Sequence, residues 1–334
     1  MGATAPASVA VSLIVPVCEH KKDIFHECFQ SYRAQTFSDL EIVVIDNGCD
    51  GIDLGPPGDA RVRCLRNEAN LGAALARNRG ASEARGRLLL FVDSDIRLPP
   101  DAVSELVDEF RRVPCDALMA RHTGDSHYRD FPSVFKHAYV TWFYDHQSKP
   151  LAFLDTSCLL IPRAAFEAYG GFKPLPTLED YEIGSRAAAA GATLRMTDRV
   201  RIEHLRQYTR SEFLRLDVQR AAMRMRIMSA YRLRARADTR EVLKEYALGV
   251  PLGYLAALSL ASAALTARPS LLLPAGGFLA GLYHVNRGFS GHFYRLSGDR
   301  YHGEFELFLL LDMLAVGLGA AKGLATHLAG RPLE

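Results

Sequence analysis

Residues 88–100, LLLFVDSDIRLPP, limit the possible folds more than any other stretch of this chain. Five apolar residues, from Leu88 to Val92, run without a break into Asp93-Ser94-Asp95. A run of that length that stops at charges reads as a buried parallel strand. The two carboxylates then stand at its C-terminal end. In open α/β sheets, ligands bind outside that edge. Two acids one residue apart, with a Pro-Pro turn just after, can share a divalent cation and the diphosphate it neutralises. They can also be solvated turn residues. Three residues alone do not decide between the two, so the neighbouring segments must.

Those neighbours alternate in period. VSLIVPV (11–17) is a β-rich run, and residues 23–35 carry apolar residues at helical spacing. Residues 40–45 form a second strand that stops at Asp46-Asn47-Gly48, and 61–65 a short third. Residues 70–84 read as a small-residue helix opened by Asn70-Leu71-Gly72 and closed before Gly86. The order β-α-β-β-α-β predicts an α/β domain, a mostly parallel Rossmann-like sheet with helices on both faces. Downstream, 101–112 reads as a helix, 118–121 as a strand and 131–144 as an aromatic helix. Residues 154–161 are strand-like, 163–169 a short helix before Gly170-Gly171, and 179–190 an Ala-rich helix. Two strand-like pieces follow, 193–196 and 200–204.

A net charge of +2 gives no global case for nucleic-acid binding. Six cysteines without C-x-x-C spacing argue against a disulfide framework or a zinc ribbon and suit a reducing compartment. The N-terminus lacks the basic start of a signal peptide. Composition shifts after residue 205. Residues 206–240 hold ten arginines against three acids, and Phe213, Leu216, Met223 and Ile227 fall near one helical face. This reads as a basic amphipathic segment lying on an anionic membrane surface. Residues 246–267 carry no charge, 22 residues where roughly 20 cross a bilayer. A second charge-free run, 269–286, holds Pro274 and Gly276-Gly277. A third, 305–328, is interrupted by Glu306, Asp312 and Lys322. The expected division is a catalytic domain over 1–205, a basic linker over 206–240 and a membrane region of two or three helices over 241–334. A buried helical hairpin of a soluble domain is the alternative for the last part. Arginines before residue 246 place the catalytic domain on the cytoplasmic face of the inner membrane.

Taken in series, VSLIVPV, SYRAQTFSDLEIVVIDNGCDG, NEANLGAALARNRGASEARGRLLLFVDSDIRLPPD, YGGF and LEDYEIGSRAAAAG resemble the family 2 glycosyltransferases. The likeness covers roughly residues 9–204. It implies a GT-A fold, a nucleotide-sugar donor, Mg²⁺ or Mn²⁺ as cofactor, and inversion at the anomeric carbon. It puts Asp95 on the metal, Asp93 near the ribose or the metal, and His204 as a third ligand or a structural histidine. By the same likeness Asp180 is the general base and Glu179 its helper or an acceptor ligand. Without the likeness, Glu179 and Asp180 read equally as helix N-terminal acids matching the dipole.

Other positions follow from placement. Pro16, Val17 and Glu19 lie past the first strand, where a nucleobase can stack and hydrogen-bond. Asp46 can accept from a pyrimidine N–H or a ribose hydroxyl, or cap its own turn. Gly72 at a helix start admits a phosphate. Arg77 can supply a cation there or stay solvated. Thr156 and Ser157 can face the sugar or the acceptor. Cys18-Glu19 and Cys49 depart from the family's pattern and leave the base contacts open. Gln207-Tyr208-Thr209-Arg210 is followed by Ser211 where processive synthases carry a Trp after Gln-x-x-Arg.

The expected activity is non-processive transfer of a sugar to a hydroxyl of a membrane-linked or cell-envelope glycan or lipid. The partners are then a nucleotide-sugar donor, a lipid-linked or glycan acceptor and membrane lipids. Transfer to polyprenyl phosphate is one rival. A non-catalytic nucleotide-sugar-binding membrane protein is another, and a nucleotidyltransferase lacks its Gly-rich loop here.

Overall fold

The computed structural model describes residues 9–18, 21–55, 58–147, 151–231 and 240–333, with side chains from 245 onward in the last segment. Glu19 lies outside the described residues. The chain divides into two compact units: one holds the chain up to Thr123 together with Pro150–Arg206, the other Gly124–Lys149 and Gln207–Leu333.

The first unit is a mixed sheet flanked by helices. In chain order its elements are β1 (Val11–Val17), α1 (Lys22–Arg33), β2 (Leu40–Asn47), β3 (Val62–Asn67), α2 (Ala73–Glu83), β4 (Leu88–Val92), β5 (Ile96–Arg97), α3 (Ala102–Arg112) and β6 (Ala117–His122). The chain leaves this unit for α4 (Phe131–Asp145) and returns with β7 (Cys158–Pro162), α5 (Arg163–Ala168), α6 (Glu179–Ala189) and β8 (Leu194–His204). Strand order is β3-β2-β1-β4-β7-β6-β8-β5. β3, β2, β1 and β4 are parallel, with Val17 opposite Asp46 and Ile14 opposite Phe91. Their C-terminal ends therefore share one edge.

Every residue of β2 is buried, which is why LEIVVIDN reads as a continuous apolar run rather than an alternation. α1 buries Phe25, Cys28, Phe29 and Tyr32 on one stripe. It packs with α3 over Leu13, Val15, Val17 and Val92. α2 covers the opposite face and needs its small residues. A Cβ on Gly80 would stand 2.4 Å from Ile14 Cγ2.

The sheet departs from the mostly parallel expectation at β7, which runs antiparallel to both β4 and β6. A buried strand shows the same apolar run in either direction, so its sense was not encoded in the pattern. The two strand-like pieces after residue 192 form one strand, β8, parallel to β6 with a register shift near Met119 and Arg121. β5 pairs with its far end and sets Ile96 opposite His204.

The second unit is helical: α4, α7 (Arg210–Ala230), α8 (Arg240–Thr266), α9 (Leu272–Val285), α10 (Arg287–Ser297) and α11 (Glu304–Leu328). Its centre is aromatic, with Phe131, Phe135, Phe289, Phe293, Phe305 and Phe308 in edge and tilted contacts. α4, which the sequence reading set within 1–205, supplies two of these rings. α7 differs from the surface helix expected. Phe213, Met223 and Ile227 are buried inside the unit rather than offered to lipid. α11 draws α7 in through Gly319 and Gly323, where a Cβ would come within 2.3 Å of Val218 O and 2.2 Å of Ala222 O.

Among the described residues, two helical segments are long and apolar enough to cross a membrane, Glu245–Thr266 and Glu304–Leu328. Leu258 is 62 % exposed and Leu265 87 %. The second apolar run does not form a third such helix. Pro269–Leu271 is a 3₁₀ turn, and α9 has 14 residues. That makes α9 about 21 Å long against an apolar core of about 30 Å.

Replacing Gly323 by Leu should force α7 and α11 apart and destabilise the helical unit by about 1–3 kcal/mol or more. Gly276, with nothing within 4 Å of its Cβ position, should accept Ala at no cost. Thermal unfolding of the two detergent-solubilised variants measures the contrast, and equal midpoints would contradict the packing account.

Candidate active site

The C-terminal ends of β1, β2 and β4 bring Val17, Asp46 and Asp93 to one edge of the sheet. The Asp93-Ser94-Asp95 turn is fixed from below by Tyr32. Its hydroxyl lies 2.9 Å from Asp93 O and 2.6 Å from Ile96 O, one proton shared between two carbonyls. Leu205 N donates to Asp95 O at 2.7 Å, tying the turn to the end of β8.

Asp95 is 1 % exposed. Lys21 Nζ lies 2.7 Å and His204 Nε2 3.2 Å from its Oδ2. Both contacts fall on Oδ2, and Oδ1 has no hydrogen-bond partner among the described residues. Burial alone would raise the Asp95 pKa; Lys21 and His204 outweigh it and hold the group well below the usual carboxylate range. Lys21, at the start of α1, has no signature in the sequence beyond its place after the first strand.

Arg77 is neither solvated nor directed to an open phosphate site. It is buried, and its guanidinium spans two acids: Nη2 to Asp93 Oδ1 at 2.5 Å and Nη1 to Glu179 Oε1 at 2.6 Å. Burial would lower its pKa, but Asp93 and Glu179 raise it, so it stays charged. The ring of Phe172 sits beneath it at 5.7 Å. Asn78 holds Phe172 by both backbone groups, accepting from its N–H at 3.0 Å and donating to its carbonyl at 2.7 Å. The Ala-Arg-Asn and Tyr-Gly-Gly-Phe motifs are thus one assembly. Gly170 and Gly171 both have positive φ. Arg186 of α6 donates to the carbonyls of Tyr169 and Gly171.

α6 begins after Leu178, a left-handed residue with φ of 61°. Such a conformation costs a side chain about 1–2 kcal/mol and marks a constrained turn. Asp180 follows, partly exposed. Its Oδ2 accepts weakly from Thr156 N at 3.3 Å, and its Oδ1 from Tyr181 N at 2.7 Å. Desolvation, then the charges of Glu179 and Asp155, push its pKa up to about 7, against the pull of Arg77. A carboxyl tuned to neutrality suits proton transfer. Asp155 was missed in the sequence. It lies at the start of what read as a strand, but here bends to accept from Ser157 N at 2.8 Å.

Asp46 is buried and does what a turn cap does, with Oδ1 accepting from Cys49 N at 2.8 Å. Its Oδ2 lies 3.8 Å from Arg66 Nε. Gly48 takes positive φ, and a Cβ there would meet Asn70 N at 2.5 Å. This lets the Asn70-Leu71-Gly72 loop close on β2, where Asn47 Oδ1 accepts from Leu71 N at 3.1 Å. Gly72, φ 81°, is the N-cap of α2. Pro16 and Val17 end β1, and Val17 is buried.

The three expected metal ligands do not form a closed cage. No group of three or more His, Cys, Asp or Glu side chains among the described residues is arranged to hold a metal. Arg77 takes Asp93 and Lys21 takes Asp95. A Mg²⁺-type site, however, needs only one or two carboxylates when substrate phosphates supply the rest. Asp95, with a buried orphan oxygen and His204 beside it, fits such a partial site.

Arg77→Leu should leave Asp93 and Glu179 facing each other without their shared cation. Removing one partner of a buried ion pair costs about 3–5 kcal/mol. A fall in the thermal midpoint larger than that of Arg79→Leu is expected, and an unchanged midpoint would contradict the linkage.

Residues 12–170 match the sequence profile of "Glycosyl transferase family 2". Glycosyltransferase GlyG of Streptococcus pneumoniae is 29% identical over 123 residues, 34% of this chain and 40% of that protein. A glucosyl-dolichyl phosphate glucuronosyltransferase of Haloferax volcanii is 30% identical over 109 residues, 30% of this chain and 34% of that protein. The chain thus spans two fifths or less of these relatives. A mannosyltransferase of Pyrobaculum calidifontis, solved with GDP-Man and Mn²⁺, superposes with a TM-score of 0.58 at 16% identity, over 96% of this chain and 88% of that one. The profile match and the likeness of fold agree: residues 12–170 are a family 2 glycosyltransferase domain, in a chain whose fold is of GT-A type.

Proposed function

We propose that the chain is a non-processive, inverting glycosyltransferase that moves a sugar from a nucleotide-sugar donor to a hydroxyl of a membrane-linked or cell-envelope acceptor. One observation carries this reading. Asp93 at the end of β4 and Glu179, the neighbour of the near-neutral Asp180, meet on the same guanidinium. A leaving diphosphate and a general base are needed within one sugar's reach, and this arrangement supports that reading.

In this reading Asp180 accepts the proton of the acceptor hydroxyl as its oxygen attacks the anomeric carbon. Glu179, held by Arg77, sits next to Asp180 and is one of the causes that raise its pKa. Lys21 gives a positive charge beside the departing diphosphate. The free N–H groups of the α2 N-terminus after Gly72 add to it. Pro16, Val17 and Asp46 border the nucleobase and ribose; Glu19 belongs to the same group by sequence. Asp95 and His204, with Asp93, would hold Mg²⁺ or Mn²⁺. The ion's chemistry is to neutralise charge building on the diphosphate oxygens. Direct displacement by one base gives inversion.

Membrane attachment follows from α8, which has the longest uncharged stretch. α11 is apolar too, but lies along α7, whose arginines resist entry into the bilayer core. The arginines ahead of α8 support a cytoplasmic position for the catalytic unit at the inner membrane. The name of the Haloferax volcanii relative includes a dolichyl phosphate, which supports a lipid-linked acceptor.

Asp180→Asn should bind donor normally and lose about 10²–10⁴-fold in transfer rate. Normal turnover, followed as nucleoside diphosphate release, would remove Asp180 as the base. The pH profile has a defined sign. The base works ionised, so kcat/KM should rise up to about pH 7, where Asp180 loses its proton, and level off above. A rate that is flat from pH 5 to 8 would contradict the assignment.

A further inference from the structure

Both acids of the turn after β4 are already met by cations of the chain, and the two cations are held in different ways. Arg77 is clamped. Asp93 and Glu179 each take one nitrogen of its guanidinium, and the ring of Phe172 lies against it. Lys21 is held by a single oxygen. Its Nζ lies 2.7 Å from Asp95 Oδ2, and its side chain keeps 18 % exposure where that of Asp95 keeps 2 %. The lysine therefore stands on the open side of a carboxylate that is otherwise closed in. His204 reaches the same oxygen at 3.2 Å. Asp95 Oδ1, buried and without a hydrogen-bond partner among the described residues, is left over.

Lys21 is fixed through its backbone rather than its head group. Its N–H donates to Cys18 O at 2.9 Å, which closes the turn after β1. It is the N-cap residue of α1, whose Phe25, Cys28 and Phe29 are buried in the core of the first unit. The start of the side chain is thus set at the edge of the sheet. Its four methylenes leave the ammonium able to turn to another acceptor, which the doubly held fork of Arg77 is not. Two cations on one carboxylate oxygen repel each other, the more so in a buried setting of low dielectric. A divalent ion placed on Asp95 must therefore displace Lys21 from Oδ2. The displaced ammonium then needs a new anion, because a buried charge left without a partner is costly. A diphosphate at this edge is such an anion.

We propose that Lys21 is an exchangeable counter-ion. It occupies Asp95 before the donor binds, and it turns to the phosphates of an arriving nucleoside diphosphate, which opens Asp95 to a divalent cation only then. The chain thereby discriminates against free divalent ions and takes up the ion together with the diphosphate. The proposal rests on the donor-site reading above and deepens it by giving Lys21 two partners in turn.

The test uses the full-length protein in detergent, with free Mn²⁺ followed by electron paramagnetic resonance. Mn²⁺ alone should bind Lys21→Met about tenfold or more tightly than the parent protein, because its rival for Asp95 is gone. Lys21→Arg keeps a cation at that position and should bind Mn²⁺ as weakly as the parent; tightening there too would overturn the rivalry. A second measurement runs the other way. Titrated by calorimetry with ADP, CDP, GDP and UDP at saturating Mn²⁺, Lys21→Met should lose about tenfold in affinity for whichever nucleotide the parent binds best. Lys21→Gln serves if Lys21→Met lowers the unfolding midpoint. Loss of both affinities would mark a residue that only supports the turn, and would overturn the exchange. Equal Mn²⁺ affinity in Lys21→Met and the parent, with nucleotide binding intact, overturns the exchange and leaves the donor site standing. Nucleotides that bind neither protein overturn the donor-site reading, and the exchange with it.

Discussion

One buried cation links the parts of the first unit that chemistry would need together. Arg77 stands between Asp93 and Glu179, which lie 86 positions apart in sequence. Its own placement depends on α2 lying close to the sheet, which the small residues of that helix allow. Phe172 then covers its face and Asn78 fixes Phe172. Without that cation, two acids would face each other with no shared partner. Asp180, next in sequence to Glu179, has its pKa raised by desolvation and by Glu179, with Arg77 pulling the other way.

The second unit is organised by different forces. Rings from α4 and α10 fill its centre, and glycines on α11 bring the arginine-bearing α7 to backbone contact. That contact turns the arginine-rich segment into part of a folded body. The same chain therefore presents an acidic, cation-compensated site in its sheet and an aromatic, glycine-packed body among its helices.

Much of this was legible in the residues. Continuous apolar runs ending at acids predicted β2, β4 and the edge at which Asp46 and Asp93 stand. Small residues predicted the close helix α2. Other features had no local signal. The reversed sense of β7 leaves no trace in its apolar pattern. The Arg77–Glu179 pair joins residues 102 positions apart, and nothing near either one announces the other. Lys21 reads as an ordinary solvated lysine until α1 brings it to Asp95. α4 looked like part of the catalytic domain because it lies between two of its strands; its rings found their partners in helices that come more than 140 residues later. The uncharged run after residue 268 was long enough in composition, but Pro269 opens it with a tight turn and shortens the helix.

We propose that the edge of β4 holds a nucleoside diphosphate and its divalent ion, with Asp95 as the essential ligand. Calorimetric titration of the full-length protein with a panel of nucleoside diphosphates, with and without Mn²⁺, tests this most directly when repeated on Asp95→Ala. At least one nucleotide should bind more tightly with Mn²⁺, and that enhancement should disappear in the variant. A variant that keeps both the affinity and its Mn²⁺ dependence would contradict the claim.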